Sequence, residues 1–151
     1  DINLEENEIN ELCDEFSHLV IEGVINALEV PGATWFLKKY NNFCNYWIAS
    51  ATPMEEINMI AKKRGIFNYF IKIFGSPETK SSIVKNILHQ YKLTKSETIF
   101  LGDALSDYEA AKQNNIDFIP RITNNNERIF NKLNHNKFFY DYYKLDKILN
   151  K

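Results

Sequence analysis

Apolar and polar positions alternate between two periods along this chain, and the switches between them mark its elements. Ile9, Leu12, Phe16, Leu19, Val20 and Val24 recur at helical spacing, which predicts a helix within residues 5–29. Pro31-Gly32 interrupts that pattern, and a second helix carrying Trp35, Phe36 and Leu37 is expected over 33–40. Tyr46-Trp47-Ile48-Ala49 is a short apolar run ending at Ser50, the signature of a buried strand. Thr52 is placed as the N-cap of the next helix, with Pro53 in its first position and Glu55-Glu56 in its first turn. That helix carries Ile57, Ile60 and Ala61 and stops near Gly65. Residues 69–74 are β-rich, Gly75-Ser76-Pro77 turns the chain, and a helix is expected over 79–91 with Ile83, Ile87 and Leu88 on one face.

Ile99-Phe100-Leu101 suits a strand buried on both faces, followed by a helix opening near Ser106 and a strand over 118–122. Phe138-Phe139-Tyr140 is expected to form a last short strand, and residues 143–149 a closing helix. Strands alternating with helices predict an α/β fold: a Rossmann-like three-layer core whose mostly parallel sheet has helices on both faces.

The bulk properties narrow the function. At 151 residues the chain is one domain's worth, with 44% hydrophobic and 25% charged residues, an ordinary globular balance. A formal net charge of -2 offers no lysine and arginine surplus for displacing counterions, so nucleic acid is not expected as a partner. The aromatic stretch at 138–143 has only Lys137 and Lys144 as close cations and reads as packing, not base stacking. No apolar run approaches bilayer length, so no membrane partner is expected. The opening Asp1-Ile2-Asn3-Leu4 lacks the basic and apolar regions of a secretion signal. Cys13 and Cys44 are expected to be reduced thiols, which fits a cytoplasmic protein. His18, His89 and His135 stand apart from each other and from any cysteine pair, against a zinc site.

Candidate chemistry gathers at three strand ends. In a parallel sheet the carboxyl ends share one edge, where ligands bind. The first delivers Ser50-Ala51-Thr52, a hydroxyl followed by backbone N–H groups at a helix start, suited to phosphate oxygens. The second delivers Lys80, a point charge able to neutralise that phosphate, at a helix start where the macrodipole disfavours a cation. The third delivers Asp103 and, four residues on, Asp107, two carboxylates suited to a hard cation such as Mg²⁺. Each alone has a plain alternative: a helix cap, a solvated lysine, a turn former with a first-turn acid. Together, in this order, they point to phosphate chemistry.

At these residues the chain resembles the haloacid dehalogenase-like hydrolases, in the branch of phosphoglycolate phosphatase and β-phosphoglucomutase-like enzymes. Val30-Pro31-Gly32 resembles the linker re-entering the core from a helical cap. Residues 47–52 resemble the second family motif, 75–80 the third and 99–107 the fourth. The resemblance implies a helical-cap remnant over 1–29 and a Rossmannoid core over 30–151. It also implies Ser50, Ala51, Thr52 and Lys80 as phosphate binders, and Lys80, Asp103 and Asp107 as catalytic residues. Asp103 would ligate Mg²⁺, with Asp107 acting indirectly. The partner implied is a small-molecule phosphate ester.

The family's first motif, an Asp-x-Asp whose first residue attacks phosphorus and whose second acts as general acid and base, has no counterpart before Ser50. Asp1 and Asp14 do not match it. The resemblance puts the strand bearing that motif between the strands near 46–49 and 98–101. These 151 residues are therefore expected to be an inactive fragment of an Mg²⁺-dependent phosphatase, with two inner strand edges left bare. Two rivals stand beside this reading: a decayed, non-catalytic module on the same scaffold, and a phosphoacceptor receiver domain. In the receiver the acids precede the hydroxyl and lysine, the reverse of the order here.

Overall fold

The computed structural model describes residues 5–133 and 137–150. Asp1–Leu4 and His135, both weighed above, lie outside the described residues. The elements run α1 (Glu6–Asn26), α2 (Ala33–Tyr40), β1 (Trp47–Pro53), α3 (Met54–Lys63), β2 (Lys72–Ser76), α4 (Lys80–Gln90), β3 (Ile99–Gly102), α5 (Leu105–Asn114), β4 (Asp117–Pro120), α6 (Glu127–Lys132) and α7 (Tyr142–Leu149). The α/β class and the parallel strands agree with the sequence reading.

The strands do not form one sheet. β1 pairs with β2 and β3 with β4, each pair parallel, giving two separate two-stranded sheets. One helix joins them. Ile83 and Ile87 of α4 pack with Phe74, Trp47 and Ala49 of the first sheet. Val84 and Leu88, on the adjoining stripe of the same helix, pack with Ala110 and Ala111 of α5 and with Phe100 and Phe118 of the second sheet. The opposite face of the second sheet is covered by α2 and α7, where Phe36, Ile119, Phe139 and Leu145 form a third cluster. Helices thus lie on both faces, as expected of a layered α/β unit.

Burial across the strands is inverted. β2 buries Ile73, Phe74 and Gly75 and β4 buries Ile119 and Pro120, whereas β1 and β3, the strands facing each other, contain no buried residue.

Several boundaries differ from expectation. β1 continues through Thr52 to Pro53, because Pro53 pairs with Ser76, so Pro53 and not Thr52 occupies the N-cap of α3. Residues 67–69 form a 3-10 turn, and the β-rich run becomes a strand only from Lys72. The expected strand at 138–140 amounts to one parallel bridge, Arg121 to Phe139. The predicted first helix forms, but its apolar positions stay largely open, Phe16 at 68% and Leu19 at 63% exposure. Its carboxyl end is held by Arg64, whose Nη1 donates to the carbonyls of Val24, Ile25 and Ala27 at 2.7, 2.9 and 2.8 Å. Those are among the carbonyls a helix end leaves unpaired, and α1 has no basic residue of its own in its last turn. Cys13 and Cys44 are exposed and unbridged. No helix among the described residues is long and apolar enough to cross a membrane.

α7 is tied to α2 by one carboxylate. Asp146 Oδ1 accepts from Lys39 Nζ and from the Tyr40 hydroxyl. The Lys39 hydrogen bond, then that of Tyr40, holds the Asp146 carboxyl below its ordinary value. A depressed carboxyl pKa contributes stability above the unfolded-state value and loses it as pH falls through the folded one. Asp146→Asn is therefore expected to lower the chemical-denaturation midpoint at pH 7. The gap to the unsubstituted chain should shrink as pH is taken below the ordinary carboxylate range.

Candidate functional site

One cleft of about 940 Å³ is lined by residues 47–50 of β1 and by β3, and Ser50, Lys80, Asp103 and Asp107 are all among its lining residues. Ala51 and Thr52, the other two expected phosphate binders, are not. The bulge in β1 accounts for the difference. From Ala49 to Pro53 that strand advances four positions while β2 advances two, from Phe74 to Ser76, so Ser50-Ala51-Thr52 arches out of the ladder. Within the arch the Thr52 N–H donates to Ser50 Oγ at 3.1 Å. The Ser50 hydroxyl, its oxygen engaged as an acceptor, keeps its proton for a partner in the cleft. Gly75 makes the arch possible: a Cβ there would stand 2.4 Å from the Thr52 carbonyl oxygen.

Lys80 enters from β2 through Gly75 and a cis Ser76–Pro77 peptide, as the first residue of α4. Thr79 caps that helix, its side chain accepting from the Ser82 N–H at 3.2 Å. Lys80 Nζ donates to Asp107 Oδ1 at 2.6 Å, with side-chain exposures of 17% and 6%. The other Asp107 oxygen accepts from the Ala104 N–H at 3.0 Å, closing the turn that opens α5. Gly102 leaves room for this carboxylate, since a Cβ there would fall 2.4 Å from Asp107 Oδ2. Asp103 is placed differently. Its side chain is 56% exposed, and its nearest charged neighbour is Arg121, Nη1 to Oδ2 at 3.5 Å.

Two residues outside the sequence reading hold this edge. Asn126, 7% exposed, donates through Nδ2 to the carbonyls of Asp103 at 2.8 Å and Arg121 at 2.9 Å, and accepts from the Thr123 N–H at 2.7 Å. It thereby stitches the loop after β3 to the loop after β4. In sequence it is one of three consecutive asparagines, and only its burial sets it apart. Arg121 lines a smaller hollow with Asp103 and Tyr142, and burial pushes the Tyr142 hydroxyl up in pKa while the Arg121 charge pulls it back. Tyr142 is therefore a neutral hydroxyl at the rim.

Among the described residues no three His, Cys, Asp or Glu side chains gather into a metal cluster. Asp103 and Asp107 are the two acids of the cleft that follow β3. Paired carboxylates suit Mg²⁺, which commonly keeps waters and substrate oxygens for its remaining positions, better than a transition metal.

The Lys80–Asp107 pair is mostly buried, so removing one member leaves the other charge without a partner. Lys80→Met is expected to cost on the order of 3 kcal/mol in urea denaturation, with much of the loss recovered in Lys80→Met/Asp107→Leu. Asn126→Ala, which strands two carbonyls and an N–H, should cost about 1–3 kcal/mol.

The sequence matches the model of the family described as haloacid dehalogenase-like hydrolase over residues 2–120. No curated protein matches it. A haloacid dehalogenase-like family hydrolase of Streptococcus pneumoniae is similar in structure, with a TM-score of 0.77, 17% identity, and 97% of this chain and 71% of that one covered. A predicted phosphoglycolate phosphatase of Haemophilus somnus gives 0.80 and 17%, covering 97% and 69%. YfnB, a HAD-hydrolase of Bacillus subtilis solved bound to magnesium, gives 0.77 and 16%, covering 95% and 64%. At such identities the structures speak to the fold; the family match over most of the chain speaks to descent. The chain belongs to the haloacid dehalogenase-like hydrolases.

Proposed function

We propose that the whole protein is a Mg²⁺-dependent phosphate-monoester hydrolase working through an aspartyl-phosphate, and that residues 1–151 alone do not turn over. The observation carrying this reading is that Ser50, Lys80, Asp103 and Asp107 share one cleft at the carboxyl ends of parallel strands. The magnesium of YfnB and the phosphatase naming of the Haemophilus somnus structure lend support.

In this reading the Ser50 hydroxyl donates to one phosphoryl oxygen of a small-molecule ester, and Lys80 neutralises another as a point charge. Asp107 holds the Lys80 ammonium in place and keeps it from swinging into solvent. Asp103 would hold Mg²⁺, with Asp107 behind it, and the ion when bound supplies further charge neutralisation on the phosphoryl group. The attacking carboxylate, which opens the ester bond and releases the alcohol, matches no residue before Ser50. It is assigned to polypeptide outside these residues. Without it positioning and electrostatic groups remain, but no bond-forming atom.

An assay with an aryl phosphate and Mg²⁺ tests both halves. The 151-residue chain should show no turnover above buffer. A longer form of the protein that carries an Asp-x-Asp upstream should hydrolyse the ester and lose at least about 100-fold in kcat on Asp103→Asn. Turnover by the 151-residue chain, abolished by Asp103→Asn, would overturn the fragment reading. A longer form inert towards a panel of phosphate esters would favour the decayed module.

A further inference from the structure

We propose that Arg121 is a displaceable counter-cation for Asp103, a positioning residue whose guanidinium balances that carboxylate and sets the Mg²⁺ concentration needed to take it. The inference rests on the reading of Asp103 as the Mg²⁺ ligand and adds what opposes the ion there.

The two ion pairs that follow β3 differ in kind. Lys80 and Asp107 meet at 2.6 Å with side-chain exposures of 17% and 6%, and both Asp107 oxygens are engaged. Arg121 Nη1 reaches Asp103 Oδ2 only at 3.5 Å, longer than an ordinary charge-assisted hydrogen bond, and the Asp103 side chain is 56% exposed. Opening the first pair strands buried charge, whereas in the second the carboxylate already faces water. Asp103 is therefore the acid able to change partners, and Arg121 is the partner it gives up.

The backbone of Arg121 is fixed on both sides. Its N–H donates to the Gly102 carbonyl at 2.8 Å, and its carbonyl accepts from Asn126 Nδ2 at 2.9 Å. The same amide nitrogen donates to the Asp103 carbonyl at 2.8 Å, so one buried side chain holds both loops together. Arg121 also forms the parallel bridge to Phe139. With its backbone so anchored, the guanidinium leaves Asp103 by side-chain rotation and not by movement of the loop.

That side chain has little else to hold. A guanidinium carries five N–H donors, yet among the described residues the Asp103 carboxylate is its one hydrogen-bond acceptor, and Nε is buried without a partner. One long contact and the packing of its stem keep the charge in place, with 27% of the side chain exposed. A divalent cation accepted by the same carboxylate is repelled by this charge. An apolar side chain at position 121 leaves Asp103 open and the ion unopposed.

The test titrates the isotope-labelled 151-residue chain with MgCl₂, NaCl being lowered in step to hold ionic strength constant. No phosphate ester is present, so turnover plays no part. In the unsubstituted chain the Asp103 amide and Arg121 Nε–H signals should shift together, with one midpoint. Arg121→Met, which keeps an apolar stem, should lower the Mg²⁺ dissociation constant at least about threefold. Arg121→Lys, which keeps the charge, should stay within about twofold of the unsubstituted chain. Asp103→Asn should move the Arg121 Nε–H signal before any Mg²⁺ is added and abolish the Mg²⁺-induced shift at position 103. Binding unchanged or weakened in Arg121→Met, yet still lost in Asp103→Asn, would overturn the proposal and leave Asp103 as the metal ligand. So would Arg121→Lys binding as tightly as Arg121→Met, or an Arg121 Nε–H signal indifferent to Mg²⁺ bound at Asp103. No shift at position 103 in any form of the chain would overturn the metal reading together with the proposal.

Discussion

The 2.6 Å contact between Lys80 and Asp107 is the constraint on which the site depends, because among the described residues no strand pairing joins the two halves of the sheet. Lys80 follows β2 and Asp107 follows β3, so one ion pair fixes the cleft-facing edge of the first half against that of the second. Beneath it α4 does the same by packing, with Ile83 and Ile87 turned to one half and Val84 and Leu88 to the other. Asn114 adds a polar tie between the same helices, donating to the Ser81 carbonyl at 3.0 Å. Buried ion pairs contribute little net stability against well-packed apolar substitutes, so the value of this one lies in registration. It sets where Ser50 stands relative to Asp103, a relation that a continuous ladder would otherwise set.

That division explains why the site is recognisable although the sheet is split. Local devices shape each half: the β1 bulge over Gly75 lifts Ser50, Thr79 caps the helix that carries Lys80, and Gly102 admits the Asp107 carboxylate. None of these needs a strand between β1 and β3.

The legible parts of the sequence were those whose cause is local. The breaker Pro31-Gly32, the turn Gly75-Ser76-Pro77 and the run Ile99-Phe100-Leu101 each act within a few residues, and the structure places α2, α4 and β3 close to where they indicate. The rest turned on distant partners. Thr52-Pro53 has the composition of a helix start, yet Pro53 is drawn into the strand by its pairing with Ser76. Phe138-Phe139-Tyr140 has strand composition, but only Phe139 meets a neighbour, at Arg121, and is otherwise consumed in the cluster with Leu145. Asn126 had no periodic signal at all. Its importance arises from two carbonyls in loops 23 and 5 residues away along the chain.

The two acids of the fourth segment show how one short sequence separates roles by environment. Asp107 sits on the first turn of α5, folded back against Gly102, with both oxygens occupied by Lys80 and the Ala104 N–H. Asp103, one residue past the strand, stands in solvent with a single weakly engaged neighbour, while its carbonyl, not its carboxylate, is locked by Asn126. The backbone at Asp103 is thus held from behind and its side chain left open in front. A carboxylate so arranged can accept a hard cation at little desolvation cost, because its charge never left water. Asp107 cannot exchange partners without stranding the Lys80 ammonium, so its part is to keep that charge aimed into the cleft. Spacing alone makes the two aspartates look equivalent; the glycine and the buried asparagine make them different.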